Sequence, residues 1–331
     1  MGIVSGPESC FNGHHVERLH QKTMTRPKLS AAVTVAIVVV IASVHALALE
    51  PPGQAAELSG TLKKIKDTGT ITLGVRESSI PFNYSLGGGQ QVGYSWEIMG
   101  RAIDAIKAEL GLQTLRIKQI PVTPQDRITL VQNGTIDLEC SSTTNNLERQ
   151  KQVAFSNSLF IIGTRLLTRR DSGVKDFADL KGKNVVTTAG TTSERLLRKM
   201  NDEGNLGINI ISAKEHGQSF LTLESGRAVA FMMDDALLFG ERAKARSPDD
   251  WVVVGRPQSR EAYGCIMRRD DPSFKRLVDA TIARLMKSGA IEAIYARWFL
   301  QPVPPRNLNL SFPLSEDMKK LFKNPNDQAL E

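Results

Sequence analysis

Apolar and polar residues follow two alternating periods along this chain, and each change of period marks a new element. Thr70–Arg76 (Thr-Ile-Thr-Leu-Gly-Val-Arg) is a β-rich run, followed by a turn region at 81–93 that contains Gly87-Gly88-Gly89. From Ser95 the apolar residues Ile98, Ala102, Ala105, Ile106 and Leu110 recur at helical spacing, and Gly111 ends the predicted helix. Leu115–Pro121 reads as the next strand. Thr123-Pro124-Gln125-Asp126 combines an N-cap, a proline at the first helical position and an acidic first turn. The helix expected there stops at Asn133-Gly134, and Ile136–Cys140 is a further strand.

A second series starts near Gly163. Strands are expected at 185–188, 208–212, 228–233 and 251–255, with helices at 194–200, 219–226 and 235–244 between them. The chain then passes through Tyr263–Arg268 into a long helical stretch at 273–300, a proline-rich tail and a short helix beginning at Ser315. Strands alternating with helices predict an α/β fold built on parallel sheets.

Composition changes this picture little. A chain of 331 residues suits one large domain or two ordinary ones, and 41% hydrophobic with 23% charged residues is globular. The formal charge of +7 is scattered among acidic groups, which leaves no clustered basic face for a nucleic acid.

The first 48 residues read as an N-terminal extension and signal peptide. Lys22, Arg26 and Lys28 precede an apolar stretch from Leu29 to Leu49, and Ala46-Leu47-Ala48 forms a small-residue cleavage site. The apolar run is also long enough for an uncleaved anchor. Met24 opens a conventional signal sequence and is an alternative start. Beyond residue 55, no apolar run approaches the ~20 residues of a membrane span. His14, His15, His20, His45 and Cys10 all fall in this segment, leaving His216, Cys140 and Cys265. Export implies an oxidising compartment in which the two cysteines can pair; the alternative is two buried free thiols. One histidine and two distant cysteines build no typical zinc site, and a catalytic triad would depend on His216 alone. The Gly87-Gly88-Gly89 loop lacks the Gly-Lys-Ser/Thr ending of a phosphate loop. No cofactor or metal is expected.

Open parallel sheets bind ligands beyond the carboxyl ends of their strands. Arg76, Ser142 with Thr144 and Arg149, Thr191 with Thr192, and Asp234 all occupy such places. Singly, each has a plainer explanation: Thr192, Ser193 and Asp234 as helix caps, Arg149 as a solvated charge. Their convergence on strand ends is what suggests a site.

Six runs carry a family resemblance. Arg76-Glu77-Ser78-Ser79-Ile80-Pro81-Phe82, Asp137–Asn146 and Glu148-Arg149-Gln150-Lys151 resemble the polar amino-acid solute-binding proteins (family 3) of ABC transporters. Gly190-Thr191-Thr192-Ser193-Glu194, Ile211–Gly217 and Glu224–Asp235 are similar to the glutamate/aspartate-binding branch, and the likeness spans residues 57–331. It implies a two-lobed type II periplasmic-binding-protein fold. Residues 57–159 and 264–331 would form one lobe, 164–259 the other, with a two-strand hinge near 159–164 and 259–263. Closure about such a hinge sequesters the ligand. Cys140 and Cys265 then share a lobe, which favours an intralobe disulfide.

By matching position, the resemblance assigns Arg149 to the ligand α-carboxylate, Ser142, Thr144 and Thr192 to further donors, and Asp234 to the α-ammonium. Arg76, Arg127 and His216 would surround the side-chain carboxylate. Arginine suits this task because its planar fork matches a carboxylate. Three arginines against one aspartate predict a cationic pocket. Related glutamine-binding proteins carry an aspartate where Arg76 stands, so an arginine reverses that preference. Pro124 replaces a serine of the branch, which removes one hydroxyl contact.

The resemblance implies a periplasmic, monomeric, non-enzymatic protein that takes L-glutamate or L-aspartate to ABC permease subunits. The competing readings are a dehydratase-like enzyme on the same fold, using His216 or a carboxylate, and a membrane-tethered amino-acid sensor.

Overall fold

In the computed structural model, residues 57–330 are described; the extension and signal expected at 1–48 lie outside them. The chain opens with α1 (Gly60–Thr68), whose end is marked by Gly69 in the left-handed region (φ 60°), and continues into β1 (Thr70–Val75). The turn region holds an antiparallel ribbon, β2 (Ser78–Ser79), β3 (Asn83–Ser85) and β4 (Gln91–Val92). Gly87, Gly88 and Gly89 make the turn within it, all with positive φ that side chains rarely adopt. Next come α2 (Tyr94–Glu109), β5 (Arg116–Pro121), α3 (Arg127–Gln132), β6 (Leu138–Glu139), β7 (Thr144–Asn145), α4 (Leu147–Gln150) and β8 (Ala154–Phe155).

The chain crosses on β9 (Phe160–Ile162) into β10 (Thr164–Arg169), β11 (Asn184–Thr188), α5 (Thr192–Gly204) and β12 (Asn209–Ala213). Then follow α6 (His216–Glu224), β13 (Ala230–Asp234), α7 (Asp235–Lys244) and β14 (Trp251–Val254). It returns on β15 (Glu261–Tyr263) to β16 (Ile266–Met267), α8 (Pro272–Lys287), α9 (Ala290–Phe299) and, past a short ribbon, α10 (Glu316–Lys323).

Two five-stranded sheets, ordered β5-β1-β6-β16-β8 and β12-β11-β13-β10-β14, are the centres of two lobes. Each is mixed rather than mostly parallel. β1 pairs in parallel with β5 and β6, and β11 with β12 and β13. Strands laid down where the chain enters or leaves a lobe, β10, β14 and β16, run antiparallel to their neighbours. A crossing without a helical return reverses direction, and the pattern of the sequence did not carry that. The crossings themselves pair, β9 with β15 in register Phe160↔Tyr263 to Ile162↔Glu261.

Other expectations shift for local reasons. Thr123–Asp126 forms a turn, closed by Asp126 Oδ1 accepting from the Thr123 amide at 2.7 Å, so α3 begins only at Arg127. The helix expected at 219–226 starts earlier, at His216. The stretch 273–300 breaks at Ser288-Gly289, where Gly289 has φ 75°. Cys140 and Cys265 are joined by a disulfide that ties the end of β6 to the start of β16. Beside it, buried Phe82, Tyr94, Phe160, Tyr263, Tyr295 and Phe299 pack edge-on and stacked, and hold the crossing strands against the first lobe.

Candidate functional site

Each candidate residue sits at or near the end of a strand or a helix. Arg76 follows β1, Ser142 follows β6, Thr144 opens β7, Arg127 opens α3, and Arg149 lies in α4. From the second lobe, Thr192 opens α5, His216 opens α6 and Asp234 ends β13. Ordinary capping places several of them: Thr191 Oγ1 accepts from the Glu194 amide at 3.0 Å, and Asn146 Oδ1 accepts from that of Arg149 at 2.9 Å.

Between the lobes these ends face one another across a narrow gap walled by Arg127, Ser142, Thr144, Thr191, Thr192, His216, Met233 and Asp234. Six of the eight candidates line this space. Arg76 and Arg149 do not; both are buried at its margins. Arg149 bridges the lobes, donating from Nη1 to the Thr144 carbonyl at 3.0 Å and from Nη2 to that of Gly190 at 3.3 Å. Thr144 and Thr192 also meet across the cleft, hydroxyl to hydroxyl at 3.4 Å.

The donors outnumber their partners. Arg127 Nη1 donates to the Ser142 carbonyl at 3.2 Å, and Arg76 Nη2 to Glu215 Oε2 at 2.8 Å. Yet Arg76 Nε and Nη1, Arg127 Nε and His216 Nε2 are buried and find no hydrogen-bond partner among the described residues. Buried polar groups are nearly always paired, so the three guanidinium nitrogens around one cleft are a demand for acceptors, which His216 Nε2 joins when Nδ1 accepts from Thr188. Burial, with Arg149 and Arg76 close by and Glu139 opposing them, pushes Arg127 down to about 9, so it stays charged at neutral pH. Burial first, then Arg76, Arg127 and Lys244, hold His216 well below the usual imidazole range. It is therefore neutral, with Nδ1 at 2.9 Å from Thr188 Oγ1.

The acidic side of the site is larger than the sequence count of one aspartate. Burial, then the nearby charge of Glu261, pushes Asp234 up to about 7, opposed by hydrogen bonds from Tyr263 and Ser193. Thr192 Oγ1 donates to Glu261 Oε2 at 2.7 Å, and Glu215 pairs with Arg76. Glu215, Glu261 and Tyr263 went unread because each comes to the cleft across a separation of 29 to 139 residues. A local signal existed only for Glu215, beside His216 in a motif shared with the family. Among the described residues, no group of three or more His, Cys, Asp or Glu is placed to hold a metal ion.

Known proteins resemble the chain over most of its length. The sequence profile of the bacterial extracellular solute-binding proteins, family 3, matches residues 71–301. An L-glutamate/L-aspartate-binding protein of Pseudomonas aeruginosa is 59% identical, covering 87% of this chain and 96% of that protein. A glutamate/aspartate import solute-binding protein of Salmonella typhimurium is 59% identical over 82% of this chain and 89% of its own length. Among solved structures, the arginine-bound form of truncated ArgBP from T. maritima superposes with a TM-score of 0.60 at 28% identity, covering 67% of this chain and 99% of that one.

Proposed function

This chain belongs to the bacterial extracellular solute-binding proteins of family 3, and from that premise we propose that it captures L-glutamate or L-aspartate between its lobes and hands it to the permease of an ABC importer. Its relatives at 59% identity are binding proteins, and it acts as one rather than as an enzyme. The observation that carries the choice of ligand is the set of buried, unpartnered nitrogens on Arg127 and His216, which line one cleft with Asp234, and on Arg76 at its margin.

In this reading Arg149, Ser142, Thr144 and Thr192 receive the α-carboxylate, at the start of α5 where free amide groups also favour an anion. Asp234 takes the α-ammonium, with Glu261 adding negative potential behind it. Arg76, Arg127 and His216 Nε2 receive the side-chain carboxylate. Two carboxylates and one ammonium leave the guest at −1, which the arginine excess offsets in a water-poor cleft. The lobes are residues 57–159 with 264–331, and 164–259. They close about the paired crossings near 159–164 and 259–263, on a monomer working in the periplasm.

Calorimetric titration of the purified protein against the twenty amino acids tests this. Glutamate and aspartate should bind at micromolar dissociation constants or tighter, about −8 kcal/mol. Glutamine binding as tightly as glutamate, or no binding of either acidic amino acid, would overturn the assignment.

A further inference from the structure

We infer that Glu215 is a positioning residue: on closure it pins Arg76 to the opposite lobe, and so determines which guanidinium nitrogens face the guest. The inference rests on the reading just given and deepens it.

Glu215 stands at the N-cap of α6, with extended backbone (φ −133°, ψ 156°), yet its side chain makes no capping bond to its own helix. The carboxylate instead reaches the first lobe, where Oε2 accepts from Arg76 Nη2 at 2.8 Å. The vacated capping role is filled from that same lobe, since Ser78 Oγ accepts from the Gly217 amide at 3.1 Å. Gly217 leaves room for this approach: a β-carbon there would lie 3.5 Å from that of Ser78 and 3.1 Å from Lys244 Nζ. Each lobe therefore completes the other, and neither contact survives their separation.

The consequence falls on Arg76. Its side chain is wholly buried while that of Glu215 is 12% exposed, so the pair is held in a low-dielectric setting with one edge to solvent. With Nη2 committed to Glu215, the two nitrogens left over, Nε and Nη1, are the ones without a partner. They lie on either side of Cδ, so each presents its own N–H to an acceptor rather than a shared two-pronged edge. Glu215 thus fixes the plane and direction of a flexible cation and leaves Nε and Nη1 as its free donors, and does so only when the lobes meet.

The test compares wild-type protein with E215A, E215Q, R76A and the R76A/E215A double variant. L-glutamate binding is followed by calorimetry and stopped-flow, with a fluorophore pair, one on each lobe, reporting closure. E215A should weaken glutamate by about tenfold, modest for a buried charge pair because of the exposed edge, and mainly through faster release. E215Q keeps an acceptor oxygen for Nη2 and should recover most of that loss. The double variant should bind within about twofold of R76A, because Glu215 acts through Arg76. E215A should also lower the closed fraction, with or without an amino acid present. Losses that add in the double variant, or an E215A protein that releases and closes like wild type, would overturn the inference. Should wild type bind neither acidic amino acid, the functional reading fails, and the closure signal still decides whether Glu215 joins the lobes.

Discussion

Arg76 carries most of the discrimination at the residue scale. Removing a buried, paired charge costs roughly 2–5 kcal/mol, so Arg76→Ala should weaken L-glutamate by about 30-fold or more. L-Glutamine, which has no second carboxylate, should lose far less; equal losses by calorimetry would move Arg76 out of the side-chain subsite. Arg149→Ala should nearly abolish binding of every amino acid, because the α-carboxylate is common to all. Asp234 supplies a pH signature. Held up to about 7 by burial and then by Glu261, it is partly protonated at neutral pH before a guest arrives. An ammonium beside it favours the carboxylate, so binding near pH 7 should release a fraction of a proton, rising toward one as the pH is lowered. Affinity should fall by about tenfold per unit as the pH drops below that value. His216, held far below its ordinary range, stays neutral through the same interval. Calorimetry in buffers of differing ionisation enthalpy measures the proton count, and net uptake would exclude Asp234 as the ammonium partner. The arginines and Asp234 were legible because each lies beside a strand end within a recognisable run. Glu261 was not, since nothing local announces that a residue of the returning strand will meet Thr192.

The same division between local and distant causes holds at the scale of elements. α7 runs from Asp235 to Lys244 as its pattern predicts, and α10 begins after Ser315, whose hydroxyl accepts from the Met318 amide at 3.2 Å. Both are specified by their own residues. α6 begins three residues ahead of its expected start because Ser78 of the other lobe supplies the cap, and the antiparallel strands owe their direction to the crossings. The disulfide belongs to this distant class and makes a prediction of its own. It closes 125 residues of chain, which includes the whole second sheet, so in the chain-entropy account it stabilises by about 5 kcal/mol. It also sits next to the site, for the Cys140 carbonyl accepts from Asn83 Nδ2 at 3.0 Å, and Asn83 Oδ1 accepts from the Arg76 amide at 3.4 Å. A C140S/C265S protein should unfold at clearly lower temperature and denaturant concentration, while its folded fraction still binds glutamate within a few-fold of wild type. Unchanged stability would mean that the reduced chain already retains the crossing.

For the whole molecule, function depends on how closely two separately built lobes can approach, and glycines set that distance. A β-carbon at Gly240 of α7 would stand 2.2 Å from the carbonyl oxygen of Ile80 in the first lobe. One at Gly190, before α5, would lie 2.8 Å from the backbone of Gln125 across the cleft. Backbone cannot yield as a flexible side chain can, so a methyl group at either place acts as a wedge. The two positions differ in a useful way. Gly190 has φ 77° and would be strained by any side chain, whereas Gly240 lies within a helix where alanine is the better residue. Gly240→Ala should therefore leave the unliganded protein as stable as wild type, or slightly more so. It should still weaken glutamate by at least about tenfold, since a guest held by both lobes loses part of its contacts when they stop short. Thermal melting without ligand, calorimetry with it, and small-angle scattering for the closed shape separate these effects. A Gly240→Ala protein that binds as tightly as wild type would show that the lobes reach the guest without the approach seen here, and the division of its contacts between opposing strand ends would have to be redrawn.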